Sequence, residues 1–183
     1  MFYELLVALF ILCPLFYLRV VKNEPWEKIK EQLLGKYKGH KKELKGAVIL
    51  CGTLLVAFFA ISAAITLFEG ASGTNINDLV NVQEVVKEEL STGVWIYIAT
   101  IAVVVFAEEF LFRAFLVPRL GIFPSTIIFS TLHFGYGSLM EIAGVFVLGL
   151  ILAYWYKKNK SIWQNYGGHL LYNLIAIAIY ALA

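Results

Sequence analysis

Apolar positions in this chain come in long runs rather than in the alternation of a strand or the narrow stripe of a soluble helix. Crossing about 30 Å of hydrocarbon takes roughly 20 apolar residues. Runs of that order fall at residues 2–21, 46–68, 93–116 and 162–182, and two shorter ones, at 122–136 and 142–156, depend on each other. The pattern predicts an all-α fold, a polytopic membrane helical bundle of about six transmembrane helices. Glu4 rather than a basic cluster precedes the first run, and no small-residue cleavage site follows it. It is therefore expected to be a retained helix and not a signal peptide.

The polar connections carry a helical period of their own. In residues 22–45, Trp26, Ile29, Leu33 and Tyr37 share a face opposite lysines, and Pro25 suits a first helical position. Ile76, Leu79, Val82, Val86 and Leu90 form a comparable stripe in residues 69–92. Both are expected to rest on the membrane surface as linkers, with His40 solvated. Two regions follow: residues 1–92, with two helices and these connections, and residues 93–183, a core of four transmembrane helices. Gly144, Gly149, Gly167 and Gly168 are expected to let helices approach closely.

Composition agrees, since 60% of the residues are hydrophobic and 15% charged, with a mean hydropathy of +0.76. An integral, multi-pass membrane protein is expected, in the cell membrane if the source is prokaryotic. Of the fifteen basic residues, nine lie between Arg19 and Lys45, and Arg119, Lys157, Lys158 and Lys160 lie on loops of the same side. The opposite side has Lys87 amid Glu69, Asp78, Glu84, Glu88 and Glu89. By the positive-inside rule the basic loops are cytoplasmic and both termini lie outside. No phosphate-binding loop, internal repeat or aromatic-studded basic surface is present, so no nucleic-acid partner is expected; membrane lipid is. Cys13 and Cys51 are expected to be buried free thiols.

The stretch VFAEEFLFRAFLVPRL, residues 105–120, breaks the apolar rule with Glu108, Glu109 and Arg113. At mid-membrane each charge costs about 2.5 to 3.5 kcal/mol, so all three need partners. Glu109 and Arg113, spaced i, i+4 with the acid first, can pair within the helix. Glu108 points about 100° away and must be neutralised or find a polar group on another helix.

Depth supplies candidates. Taking PRLG, residues 118–121, as a hairpin turn, Glu108 lies twelve residues before Leu120 and His133 thirteen after it. Both are then about 18 to 20 Å from the turn. His169 and Asn173 share a face of the last helix, about 12 and 18 Å from the same side. A carboxylate and an imidazole can share removal of a water proton, while a second imidazole and an amide can donate to an oxyanion. No serine or cysteine carries the surroundings of a nucleophile, which favours hydrolysis by water. Glu141, near the outer start of the fifth helix, is expected to touch water far from this layer.

Three motifs in order, EEFLFR (Glu108 to Arg113), FSTLH (Phe129 to His133) and HLLYN (His169 to Asn173), resemble those of the CAAX-protease and bacteriocin-processing family of intramembrane proteases. That family includes the endopeptidase that removes the last three residues of prenylated CAAX proteins. The resemblance implies Glu108 as general base, His133 helping to position water, and His169 with Asn173 stabilising the oxyanion. It implies Glu109 and Arg113 as a supporting pair, and Phe129 packed beneath the His133 ring. The expected substrate is a peptide or lipidated protein, and no cofactor is required.

Two alternatives stand beside this reading. Glu108, His133 and His169 could bind Zn²⁺ with water in the fourth position, although no HExxH is present. A non-enzymatic transporter or adaptor could use the same groups as a proton relay, although no inverted repeat is visible.

Overall fold

The computed structural model describes residues 2–182 and is all-helical. In lipid a helix satisfies its own backbone groups, which is why long apolar runs resolve into this one element. Helix α1 (Phe2–Phe16) continues through a π-helical turn to Val21, and α2 (Trp26–Leu34) follows on the basic side. Helix α3 (His40–Ser72) is 33 residues long, about 50 Å, and extends beyond its apolar run at the N-terminal end. After α4 (Val80–Thr92) comes α5 (Val94–Glu108), which passes without a break into a π-helical segment, Glu109–Leu116, and then α6 (Val117–Leu120). Helix α7 (Ile122–Thr131) ends in a 3₁₀ turn, Leu132–Tyr136; α8 (Leu139–Asn159) and α9 (Ile162–Leu182) complete the chain.

Among the described residues, four helices are long and apolar enough to cross a membrane: Glu4–Val21, His40–Ser72, Val94–Leu120 and Leu139–Asn159. The protein is an integral membrane protein, with outward-facing side chains such as Val56, Leu67 and Trp95 forming its apolar exterior. The other two expected spans differ for separate reasons. Helix α9 has the length, 21 residues, but Gln164, Asn165, His169 and Asn173 make it more polar. Helix α7 has only 10 residues and depends on packing along α8.

Three sequence expectations change. The turn after α6 is made at Gly121, whose φ of +90° favours glycine, while Pro118 and Arg119 remain helical. Cys13 faces outward and only Cys51 is buried. The two amphipathic connections are built into the bundle instead of resting on its surface. Ile29 and Leu33 of α2 are buried against Leu18, Phe110, Phe115, Tyr156 and Ile162, closing the basic end of the core. The segment after α2 is tied down as well, because the Glu43 carboxylate accepts the Lys38 backbone N–H at 2.7 Å and the Ser161 hydroxyl at 2.6 Å.

At the acidic end, α4 packs on α5 and α9 and buries Val82 and Val86. Asp78, just before it, accepts hydrogen bonds from the Ser138 hydroxyl (2.5 Å) and the backbone N–H groups of Leu139 (2.6 Å) and Met140 (3.2 Å). Burial pushes the Asp78 carboxyl up, but these donors outweigh it and hold it below its ordinary range. Asn81 donates to the Gly137 carbonyl at 2.8 Å. The acidic connection is thereby fastened to the start of α8.

Helix α3 packs along α9, where Gly168 meets Ala47 and Leu50. A Cβ on Gly168 would lie 2.9 Å from the Ala47 carbonyl oxygen and 2.9 Å from Leu50 Cβ, whereas one on Gly52 meets nothing within 4 Å. Gly144 also meets nothing, so it does not serve close packing as expected. Gly168→Ala is expected to cost about 1 to 3 kcal/mol, and Gly52→Ala to be neutral or stabilising by up to about 1 kcal/mol. Thermal unfolding of both variants in detergent checks the contrast.

Candidate active site

Glu109 and Arg113 are the most deeply buried charges, at 0% and 1% exposure. They form the i, i+4 pair expected from their spacing, with Arg113 Nε 3.5 Å from Glu109 Oε1. The π-helical segment starts at Glu109 and includes both residues. Its wider turn changes the azimuth of every residue after Glu108, and such insertions recur at functional sites.

The pair has further partners that spacing did not reveal. His169 Nδ1 lies 2.8 Å from the same Glu109 Oε1. The Arg113 guanidinium makes no hydrogen bond among the described residues and lies 3.9 Å over the centre of the Phe129 ring. That cation–π contact takes the place of the polar partners a buried guanidinium usually has. Phe129, 2% exposed, is also edge-on to His133, with ring centres 4.9 Å apart, and 6.3 Å from the His169 ring. It packs against His133 as expected and links Arg113 to both histidines.

His133 is in the 3₁₀ turn that ends α7. Its Nδ1 lies 3.0 Å from the Phe129 carbonyl oxygen. A carbonyl can only accept, so Nδ1 carries the proton and Nε2 is the free nitrogen. The Tyr136 ring stacks on the His133 ring, with centres 6.0 Å apart at 22°.

Glu108, His133, His169 and Asn173 all line one cavity of about 140 Å³. The structure thus brings together the four residues that sequence reasoning grouped by depth. The cavity is otherwise largely apolar, and its walls are α3, α4, α5, α8 and α9, with Phe129 of α7 and the 3₁₀ turn. Its lining includes Leu79, Val82 and Val86, so it runs from the Glu108 layer toward the acidic connection and away from the basic loops. The lining also includes Glu141, which corrects the expectation that this residue stands apart from the site.

The cavity offers no evident nucleophile of its own. Ser62, on its wall, donates its hydroxyl to the Phe58 carbonyl at 2.9 Å. Ser125 and Ser130 are bonded to the carbonyls of Phe112 and Ile127, and Ser138 donates to Asp78. Neither cysteine lines the space. Among the described residues, no three His, Cys, Asp or Glu side chains stand close enough together to hold a metal ion.

The bundle thus holds an internal cavity lined by carboxylate, imidazole and amide groups. Residues 90–175, just under half of the chain, match the model of the family described as type II CAAX prenyl endopeptidase Rce1-like. Over those residues the chain is similar to the CAAX-protease and bacteriocin-processing family, in agreement with its three motifs. No curated protein and no solved structure matches it. The matched segment includes all three motifs, from Glu108 to Asn173.

Removing one member of a buried ion pair strands the other, at a cost of about 3 to 5 kcal/mol. Glu109→Gln is expected to lower stability by an amount of that order. Glu109→Gln combined with Arg113→Met removes both charges and recovers part of the loss. Unfolding midpoints of the two variants and the wild type in one detergent measure the difference.

Proposed function

We propose that the chain hydrolyses a peptide bond within the membrane with water activated by Glu108 and His133, without a covalent intermediate and without a metal. The observation that carries this reading is the shared cavity of Glu108, His133, His169 and Asn173, in which each histidine has its Nδ1 engaged elsewhere and its Nε2 free.

Glu108, the carboxylate that Arg113 does not pair with directly, takes a proton from water as the oxygen attacks the carbonyl carbon. His133 Nε2 accepts the water's other hydrogen bond and so orients it. The developing oxyanion receives hydrogen bonds from the Asn173 side-chain amide and from Nε2–H of doubly protonated His169. Glu109 is the counter-ion of that imidazolium. With Arg113 it completes a set of two carboxylates, one guanidinium and one imidazolium whose charges sum to zero, the condition a low-dielectric site favours. Protonated Glu108 then gives its proton to the leaving amine, which releases a new carboxylate and a new amine.

The substrate is a peptide or lipidated protein that offers an extended segment to an apolar cavity. A prenylated CAAX C-terminus fits the family's printed description. The transporter alternative has less support, because the cavity's polar groups lie within the segment matched to a peptidase family. The zinc alternative would need Glu108, His133 and His169 to converge on one ion, and no such cluster stands among the described residues.

Glu108→Ala is expected to reduce cleavage about 10²- to 10⁴-fold, and His169→Ala about 10²- to 10³-fold or more, both in folded protein. Peptidase assays in proteoliposomes, paired with metal analysis of the same active preparation, test this reading. Wild-type cleavage by Glu108→Ala would remove the catalytic assignment, and stoichiometric zinc lost together with activity in chelator would replace the metal-free mechanism.

A further inference from the structure

The cavity has a second acidic wall that the hydrolytic reading leaves unused. Along α9 its lining runs from His169 through Asn173 to Tyr180, about 16 Å of helix. Along α8 it runs from Leu152 back to Glu141 in the first turn. Leu148 packs in one cluster with Tyr172, the neighbour of Asn173, and so marks the level of the hydrolytic layer on α8. Glu141 stands seven residues from Leu148, about 10 Å along the helix toward the acidic end.

The backbone N–H of Glu141 is bonded to the Ser138 hydroxyl that caps α8. Its carboxylate makes no ion pair and no side-chain hydrogen bond with another described residue. No lysine or arginine lines the cavity, and the histidines of the hydrolytic layer are about 10 Å away along the helix, so no cationic group of the wall stands beside this carboxylate. A carboxylate in a spanning segment is costly unless it has a partner, and the partner is the clue to its use. The approach to this end has the same sign. Helix α4 turns Val82 and Val86 to the cavity, while Glu84, Glu88 and Glu89 on the same connection accompany a single cation, Lys87. Such a face attracts cationic groups.

We propose that Glu141 is the specificity carboxylate of this cavity, pairing with an ammonium or guanidinium group of the substrate. The group is placed about three residues of extended chain from the hydrolysed bond, since about 10 Å separates Glu141 from the hydrolytic layer. The inference rests on the hydrolytic reading above and adds the substrate class: an otherwise apolar peptide with one cation at a fixed distance from the cleavage point. The cation is supplied either by a basic side chain or by a free N-terminus.

The probe is a set of apolar peptides, N-acetylated and C-amidated, with one lysine scanned along the sequence, beside the same peptides with norleucine in place of lysine. A third arm has norleucine throughout and a free N-terminus. Full-length protein in proteoliposomes is assayed by mass spectrometry of the products, with Glu108→Ala defining the background. The wild type is expected to favour lysine over norleucine about tenfold or more at one position, the magnitude of a desolvated ion pair. Glu141→Gln is expected to bring that ratio close to one, while Glu141→Asp, which retains the charge, preserves a preference. A matching gain in the third arm assigns the cation to the N-terminus instead of a side chain.

An unchanged ratio in Glu141→Gln overturns the proposal, as does a wild type with no preference in any arm. If Glu141→Gln and Glu141→Asp both fail to fold, the residue is structural and the proposal also falls. Absence of any Glu108-dependent cleavage by the wild type is a different failure: it removes the hydrolytic reading itself.

Discussion

Glu109 is the point on which the interior is organised. Its carboxylate has no exposure to the surroundings, and a single oxygen faces both Arg113 Nε at 3.5 Å and His169 Nδ1 at 2.8 Å. A charge in that position costs several kcal/mol unless it is compensated, and the compensation comes from two different helices. The π-helical segment, α9 and, through the cation–π contact with Phe129, α7 are therefore constrained together. Both histidines take their orientation from this arrangement: His169 from Glu109 directly, His133 from the Phe129 carbonyl and ring. Glu108 lies outside it and faces the cavity.

That division was partly legible in the sequence. Hydropathy located the long helices, because an apolar run of sufficient length has one structural outcome in lipid. The i, i+4 spacing identified the Glu109–Arg113 pair, and depth arithmetic grouped Glu108 with His133, His169 and Asn173. Depth could not show that His169 meets Glu109, because adjacent residues differ by only 1.5 Å along a helix and are separated by azimuth. Azimuth depends here on a π-helical segment, whose sequence does not differ visibly from that of an α-helix. The roles of α2 and α4 were hidden for another reason. A short apolar stripe reads the same against headgroups as against a protein core, and only the tertiary contacts of Ile29, Leu33, Val82 and Val86 distinguish the two. Glu141 was misplaced because its position near a helix end suggested water, while α4, folded over that end, encloses it in the cavity wall.

The cavity's direction follows from the same contacts. The basic end of the core is closed by α2 and the Glu43 hydrogen bonds, and the cavity lining lies instead toward α4. Asp78 and Asn81 fasten the start of that helix to the junction before α8, immediately after the turn that carries His133. The acidic connection is thus structurally continuous with the hydrolytic layer, and the same segment that borders the cavity also adjoins the imidazole proposed to orient water.

The claim on which this account rests most heavily is that the Glu109 carboxylate accepts a hydrogen bond from Nδ1–H of His169, so that Nε2 serves the cavity. Nitrogen NMR of ¹⁵N-histidine-labelled protein in detergent, with the three histidines assigned by single substitution, measures this directly. The account predicts a proton on Nδ1 of His169 that is perturbed in Glu109→Gln and unaffected in His133→Ala. A His169 ring with its only proton on Nε2 would contradict it, because Glu109 would then be the donor and the division of labour between the two adjacent glutamates would be lost.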